Sequence, residues 1–238
     1  MPLEDEGFAA AHAFESYANW LIPGRLMLGR YPYIEPSRCG SREQGEQQLR
    51  RLLEAGITTF VALQAEVDAQ ETLRVGGQAG FLPYLPTATL LHAAMGAPPG
   101  AEDLEGLRNQ YLNSFLPPRR KQKRHAQEQA PARGRLHFAR FPIVDLDIPT
   151  PELMEGALAD LRARLGAGER VYVHCWGGRG RAGTVGACAL AALYDLPADE
   201  ALARVQRAFN TRGDDGRASP ETPEQIEFVR QYVAANPP

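Results

Sequence analysis

The sequence predicts an α/β fold: a central, largely parallel sheet flanked by helices in a single domain. Three observations carry this. Short apolar segments at residues 57–63, 138–144 and 171–173, rich in β-branched and aromatic residues, read as buried strands. Between and after them lie segments whose apolar residues recur at helical spacing, and strands separated by helices build parallel sheets. The 238 residues, 44% hydrophobic and 23% charged, supply enough apolar surface for one large core and exclude wholesale disorder.

Taken in order, residues 1–15 are expected to be a loose N-terminus, and residues 16–238 the folded domain, with an insertion at about 66–136. Residues 20–30 alternate large apolar residues with turn formers and read as a short strand or hairpin. Ser41 and Gln44 have capping-box spacing, and Leu49, Leu52 and Leu53 form a stripe before Gly56, so 42–55 is predicted helical. The 57–63 strand follows. Prolines at 83, 86, 98, 99, 117 and 118 then break the pattern, and only 104–115 reads as helix. The inserted segment ends in a basic run at 119–125, readable as a solvated loop or as an anion-attracting flap. After the 138–144 strand comes an acidic loop holding Asp145 and Asp147. Thr150 and Pro151 open a helix carrying Met154, Leu158, Leu161 and Leu165 on one face, closed by Gly166. Small residues from Arg181 to Tyr194 permit a tightly packed helix. Two further helices start at Pro197 and at Thr222-Pro223.

Charge and cysteine usage exclude several function classes. Lys and Arg total 26 against 29 Asp and Glu, a net charge of -3, so no global field draws the chain to nucleic acid or an anionic membrane. No apolar run approaches the ~20 residues of a membrane span, and the acidic start does not resemble a leader peptide. Three cysteines (Cys39, Cys175, Cys188) are too few for a disulfide framework, which points to a reducing, cytoplasmic setting.

Chemistry concentrates at residues 174–184, HCWGGRGRAGT, between a strand and a helix start. Gly178, Gly180 and Gly183 satisfy a dinucleotide-binding GxGxxG literally, but too little chain follows for a dinucleotide-binding half. A nucleotide-triphosphate loop fails for want of a lysine before Thr184. The Cys-x5-Arg spacing of Cys175 and Arg181 gives a third reading. In a tight loop, successive backbone N–H groups of Trp176, Gly177, Gly178, Arg179 and Gly180 converge on one anion and the Arg181 guanidinium closes the ring. A cysteine at the floor of such a cradle, beside a cation and a helix N-terminus, is favoured as a thiolate nucleophile; the alternative is an inert core thiol, the reading given to Cys188.

These residues resemble the signature HCxxGxxR of the protein tyrosine phosphatase superfamily, and the wider pattern HCxxGxGRxGT is similar to its dual-specificity branch. The likeness extends to residues 20–30, 43–63, the segment FPIVD ending at Asp145, and the C-terminal helices, leaving the middle insertion unmatched. It implies a cysteine-dependent phosphomonoesterase of the protein tyrosine or dual-specificity type. In it Cys175 attacks phosphorus to form a phosphocysteine, Arg181 binds the equatorial oxygens, His174 braces the loop, and Asp145, 30 residues before the cysteine, is the general acid with Asp147 as competitor. No metal or other cofactor is implied, and the expected partner is a phosphorylated protein or an anionic small molecule. Two departures qualify the match. Ala182 stands where members commonly place Ser or Thr to help the thiolate leave, which admits a phosphate-binding module with little turnover. Arg179 adds a cation inside the loop, where phosphoinositide and inositol phosphate phosphatases often carry lysine, so a polyanionic substrate is the alternative; a solvent-facing arginine or one paired with an acidic neighbour is the plainer reading. Glu221 to Gln225 is similar to the segment in which tyrosine-specific members place a water-positioning glutamine, but Thr222 and Gln225 also form a helix capping box. Trp176 either walls the pocket or packs beneath the loop.

Overall fold

A computed structural model describes residues 6–67, 80–96, 136–213 and 216–236. In chain order its elements are α1 (Glu6–His12), β1 (Ala13–Glu15), β2 (Ala18–Ile22), β3 (Leu26–Gly29), α2 (Arg42–Glu54), β4 (Thr59–Gln64) and α3 (Leu85–Met95). Then follow β5 (His137–Ile143), α4 (Pro151–Gly166), β6 (Val171–His174), α5 (Gly180–Tyr194), α6 (Ala198–Asn210) and α7 (Pro223–Ala235). The strands form one sheet in the order β1-β2-β3-β6-β4-β5. Strands β3, β6, β4 and β5 run parallel, and β2 and β1 extend the sheet antiparallel on the β3 side. The parallel centre is the one the sequence predicts, and residues 20–30 belong to the β2-β3 hairpin.

Strand alternation divides the core. On β6, Val171 and Val173 face one side and Tyr172 the other; on β3, Leu26 and Leu28 oppose Met27. The first side is covered by α4, α5, α6 and α7, through Met154, Leu161, Val185, Val205 and Val229. On the second, Leu49, Leu52 and Leu53 of α2 and Leu91 of α3 pack on Phe60 and Tyr172. Each such side chain contributes about 1.5–3 kcal/mol by leaving water. The helix after the phosphate-loop motif is central because its residues are small. Every residue of α5 from Gly180 to Ala191 is buried, and a Cβ on Gly183 would lie 2.5 Å from the Ser219 Oγ, so α5 meets the 219–220 segment at glycine distance. Helix starts follow the caps read from sequence: Ser41 accepts from Gln44 N, Thr150 from Leu153 N, and Thr222 with Gln225 forms the reciprocal box. At α2 the box is only half made, since the Gln44 amide donates to Arg38 O instead.

Two expectations about organisation need correction. Residues 6–15, expected to be loose, form α1 and the edge strand β1. Phe8 anchors them: it is buried, stacks on His12 with ring centroids 3.7 Å apart, and lies 4.0 Å beneath the Arg207 guanidinium. Two phenylalanines, Phe8 and Phe14, in an alanine-rich stretch leave no periodicity to read. The segment expected as an insertion is likewise not all peripheral. Residues 80–96 place Phe81, Tyr84, Ala88 and Leu91 in the second core layer. The remainder of that segment, including the predicted 104–115 helix and the basic 119–125 run, lies outside the described residues. Among the described residues no helix is long and apolar enough to cross a membrane.

Candidate active site

Three adjacent parallel strands deliver their following loops to one edge of the sheet, where ligands of α/β folds gather. Glu66 follows β4, Asp145 follows β5, and His174-Cys175 ends β6, whose neighbours on both sides are parallel to it. From Cys175 the chain turns back on itself and enters α5 at Gly180. The turn is close enough for the Gly178 N–H to donate to the Cys175 sulfur at 3.2 Å. Gly178 has φ +70°, and a Cβ there would meet the Gly29 carbonyl carbon at 2.2 Å and the Arg30 nitrogen at 2.5 Å. Tyr31 N donates to Trp176 O at 3.0 Å, tying the loop to the segment after β3. Gly178→Ala combines left-handed strain with a backbone collision and is expected to cost about 2–4 kcal/mol in urea unfolding; a loss under about 0.5 kcal/mol would show that the loop is not held against β3.

Arg181 lies under this turn with its side chain 1% exposed. One terminal nitrogen donates to Glu66 Oε2 at 2.5 Å and to Ile143 O at 3.0 Å; the other donates to Glu66 Oε1 at 2.8 Å and pairs with Asp145 Oδ1 at 2.7 Å. Burial alone would lower the guanidinium's proton affinity. The Glu66 hydrogen bonds and the charges of Cys175, Glu66 and Asp145 outweigh it and raise Arg181 above its ordinary value. Nothing local marks Glu66, which lies 115 positions before its partner in a stretch without periodicity.

The two aspartates of the acidic loop differ in direction. Asp145 faces Arg181. Asp147 turns its carboxylate onto the loop, Oδ1 accepting from Ile148 N at 2.8 Å, while its carbonyl accepts from Gln225 Nε2 at 3.1 Å. Gln225 is fully buried, and its Oε1 accepts from Glu221 N and Thr222 N. The residue therefore closes the α7 cap and ties the acidic loop to it.

His174 is buried beside Cys175, and its Nε2 shares a hydrogen bond with the Tyr84 hydroxyl at 2.8 Å. Burial drives the imidazole down to about 3, with the Cys175 backbone opposing and Arg181 adding to the effect. It is neutral at physiological pH. Tyr84 comes from the supposed insertion, so its role was invisible in the sequence. A depressed folded value means stability is full above pH 6.5 and is lost as pH falls towards 3, because the unfolded chain takes up a proton the folded ring refuses. The slope approaches about 1.4 kcal/mol per pH unit. Urea unfolding at pH 7 and pH 5 should show a larger loss for the native chain than for His174→Gln, whose amide can still hydrogen-bond Tyr84; equal losses would show that the buried ring does not carry this pH dependence.

Trp176 directs its indole away from the cradle: Nε1 donates to Glu35 Oε2 at 2.8 Å and the ring packs edge-on to Phe81. Of the two readings of Trp176, packing against the neighbouring loop is the one observed. Burial would raise the Glu35 carboxyl, but hydrogen bonds from Ser37 and Trp176 hold it below its ordinary value. Of the readings of Arg179, the one paired with an acidic neighbour is observed: it forms an ion pair and hydrogen bond with Glu221. Cys188 sits in the core of α5, where burial pushes its thiol up to about 12, consistent with an inert side chain. Cys175, Arg181 and Asp145 are thus brought together, whereas the side chains of Trp176, Arg179 and Asp147 are engaged elsewhere.

This arrangement, a cysteine sulfur facing an inward amide above a buried guanidinium with carboxylates at its edge, can hold a tetrahedral oxyanion next to a nucleophile and a proton donor. Residues 119–230 match a family model described as "PTP-SAK: Swiss Army Knife protein, DSP-PTPase phosphatase domain". A stretch of 109 residues is 37% identical to "Putative tyrosine phosphatase 067L" of Invertebrate iridescent virus 3, covering 40% of this chain and 44% of the relative, so the match spans under half of that protein. Among solved structures the fold is similar to Tk-PTP in its active form, with TM-score 0.52, 20% identity and coverage of 92% of this chain and 98% of that one. It is also similar to human DUSP28, with TM-score 0.50, 15% identity and coverage of 94% and 97%. At these identities the structural likeness is one of fold. Over residues 119–230 the chain is thus similar in sequence to the dual-specificity-like side of the protein tyrosine phosphatase superfamily.

Proposed function

We propose that the protein is a cysteine-dependent phosphomonoesterase that works through a phosphocysteine intermediate on phosphorylated protein, of the tyrosine or dual-specificity type. The observation that carries this reading is the convergence of Asp145 and Cys175, which follow β5 and β6, with Arg181 in the first turn of α5. Both terminal nitrogens of Arg181 are engaged, one of them by Asp145, and a guanidinium has five N–H donors in all. An incoming phosphoryl group takes the Arg181 edge formed by Nε and the nitrogen now paired with Asp145. Glu66 keeps its two-point hold and fixes the guanidinium plane. Displaced from Arg181, Asp145 is free to meet the leaving oxygen.

In the first step the Cys175 thiolate forms a P–S bond as the P–O bond to the leaving group breaks, and protonated Asp145 gives its proton to that oxygen. In the second, Asp145 takes a proton from water, the new P–O bond forms, the P–S bond breaks, and Cys175 returns as thiolate with phosphate released. Backbone N–H groups of residues 176–180 and the Arg181 guanidinium stabilise the charge on the equatorial oxygens throughout. The mechanism needs no metal or organic cofactor.

Ala182 supports a second reading, a phosphate-binding module that stalls as phosphocysteine. The side chain at 182 offers no hydroxyl, and the nearby Thr184 Oγ1 is committed to Gly180 O and Ser219 Oγ to Arg179 O. Incubation with excess p-nitrophenyl phosphate separates the two. Steady release of many equivalents of product per chain supports the enzyme, and a burst of one equivalent with no further release supports the module.

A further inference from the structure

We propose that Glu221 is a specificity residue: by occupying Arg179 it withholds that cation from a second phosphate and restricts the site to substrates whose charge is confined to the scissile group. The inference rests on the phosphomonoesterase reading above and narrows its substrate class. Arg179 lies between Gly178, whose N–H points at the Cys175 sulfur, and Gly180, the first residue of α5. An unpaired guanidinium there would add a positive charge at the rim of the cradle, where a polyanionic substrate gains most. Instead the guanidinium bonds the Glu221 carboxylate, and both side chains are 26% exposed.

The position of Glu221 is set by the fold. Its N–H donates to the buried Gln225 Oε1 in the α7 cap, and its Oε2 would lie 3.1 Å from a Cβ on Gly180. The carboxylate therefore overlies the first turn of α5, where the helix dipole favours an anion. A second phosphate must compete with Glu221 both for Arg179 and for that pole, against a carboxylate that is already held in place. A substrate with one phosphate, seated between the loop amides and Arg181, does not meet this competition.

The test compares kcat/KM for an inositol trisphosphate with kcat/KM for p-nitrophenyl phosphate in the native chain, Glu221→Gln, Arg179→Ala and the double variant. Glu221→Gln should raise the ratio by about three- to tenfold, the scale of a partly exposed charge pair, and the rise should fall below about twofold when Arg179 is absent. Glu221→Ala serves as a second variant should the glutamine disturb the α7 cap. An unchanged ratio in folded Glu221 variants, or the same rise without Arg179, overturns the inference. Calorimetric binding of inositol hexakisphosphate to Cys175→Ser with and without Glu221→Gln reads the same competition without turnover. If the native chain hydrolyses neither substrate, the phosphomonoesterase reading falls, and the calorimetry alone decides: tighter binding supports the role of Glu221, and unchanged affinity overturns it.

Discussion

Cys175→Ser is expected to lower hydrolysis of p-nitrophenyl phosphate by roughly 10⁴-fold or more. Under the proposed mechanism the sulfur makes the only covalent bond from protein to substrate, and no neighbouring side chain can replace it. The nearest thiols, Cys39 and Cys188, are buried elsewhere in the fold. A serine hydroxyl in the same place stays protonated at neutral pH, unlike a cradle thiolate, and is a far weaker nucleophile. The variant should still bind the product phosphate, because the loop amides and Arg181 are untouched. Retention of a tenth or more of the native rate would exclude Cys175 as nucleophile.

Asp145→Asn should separate substrates by their leaving groups. A poor leaving oxygen needs a proton as the P–O bond breaks, whereas p-nitrophenolate does not, so an alkyl phosphate should lose about 10²–10⁴-fold while p-nitrophenyl phosphate loses much less. The geometry favours Asp145 over Asp147 because only Asp145 reaches the Arg181 guanidinium, while the Asp147 carboxylate caps its own loop. The same substitution in Asp147 should therefore act evenly on both substrates. Equal losses at Asp145 would give it a structural role and move the acid to Asp147.

Legibility from sequence followed the distance between partners. The Cys175 loop could be read because the nucleophile, the glycines and Arg181 are contiguous and the turn between β6 and α5 forces them together. Helices α2, α4 and α7 were legible from their caps and stripes, and β4, β5 and β6 from short β-branched runs. Glu66 and Tyr84 were not, since they meet Arg181 and His174 across 115 and 90 positions and nothing local marks them. The 80–96 segment illustrates why. Its prolines suggested an interruption, yet Pro86 sits near the start of α3, where the missing N–H costs nothing, and Phe81, Tyr84 and Leu91 pack inward. Arg179 shows the converse limit. Its place in the loop was visible, but its charge is answered by Glu221, 42 positions away, and only the fold reveals that pairing.

Under the proposed mechanism phosphate passes through the Cys175 sulfur. Rapid denaturation of the protein in alkaline detergent during turnover of an aryl phosphate labelled in its phosphoryl group, followed by peptide mapping at alkaline pH, tests this step. The label is expected on the peptide containing Cys175, absent in Cys175→Ser and accumulating in Asp145→Asn, where the water-activating base is lost. Steady hydrolysis with no label on Cys175, or label on any other residue, would contradict it.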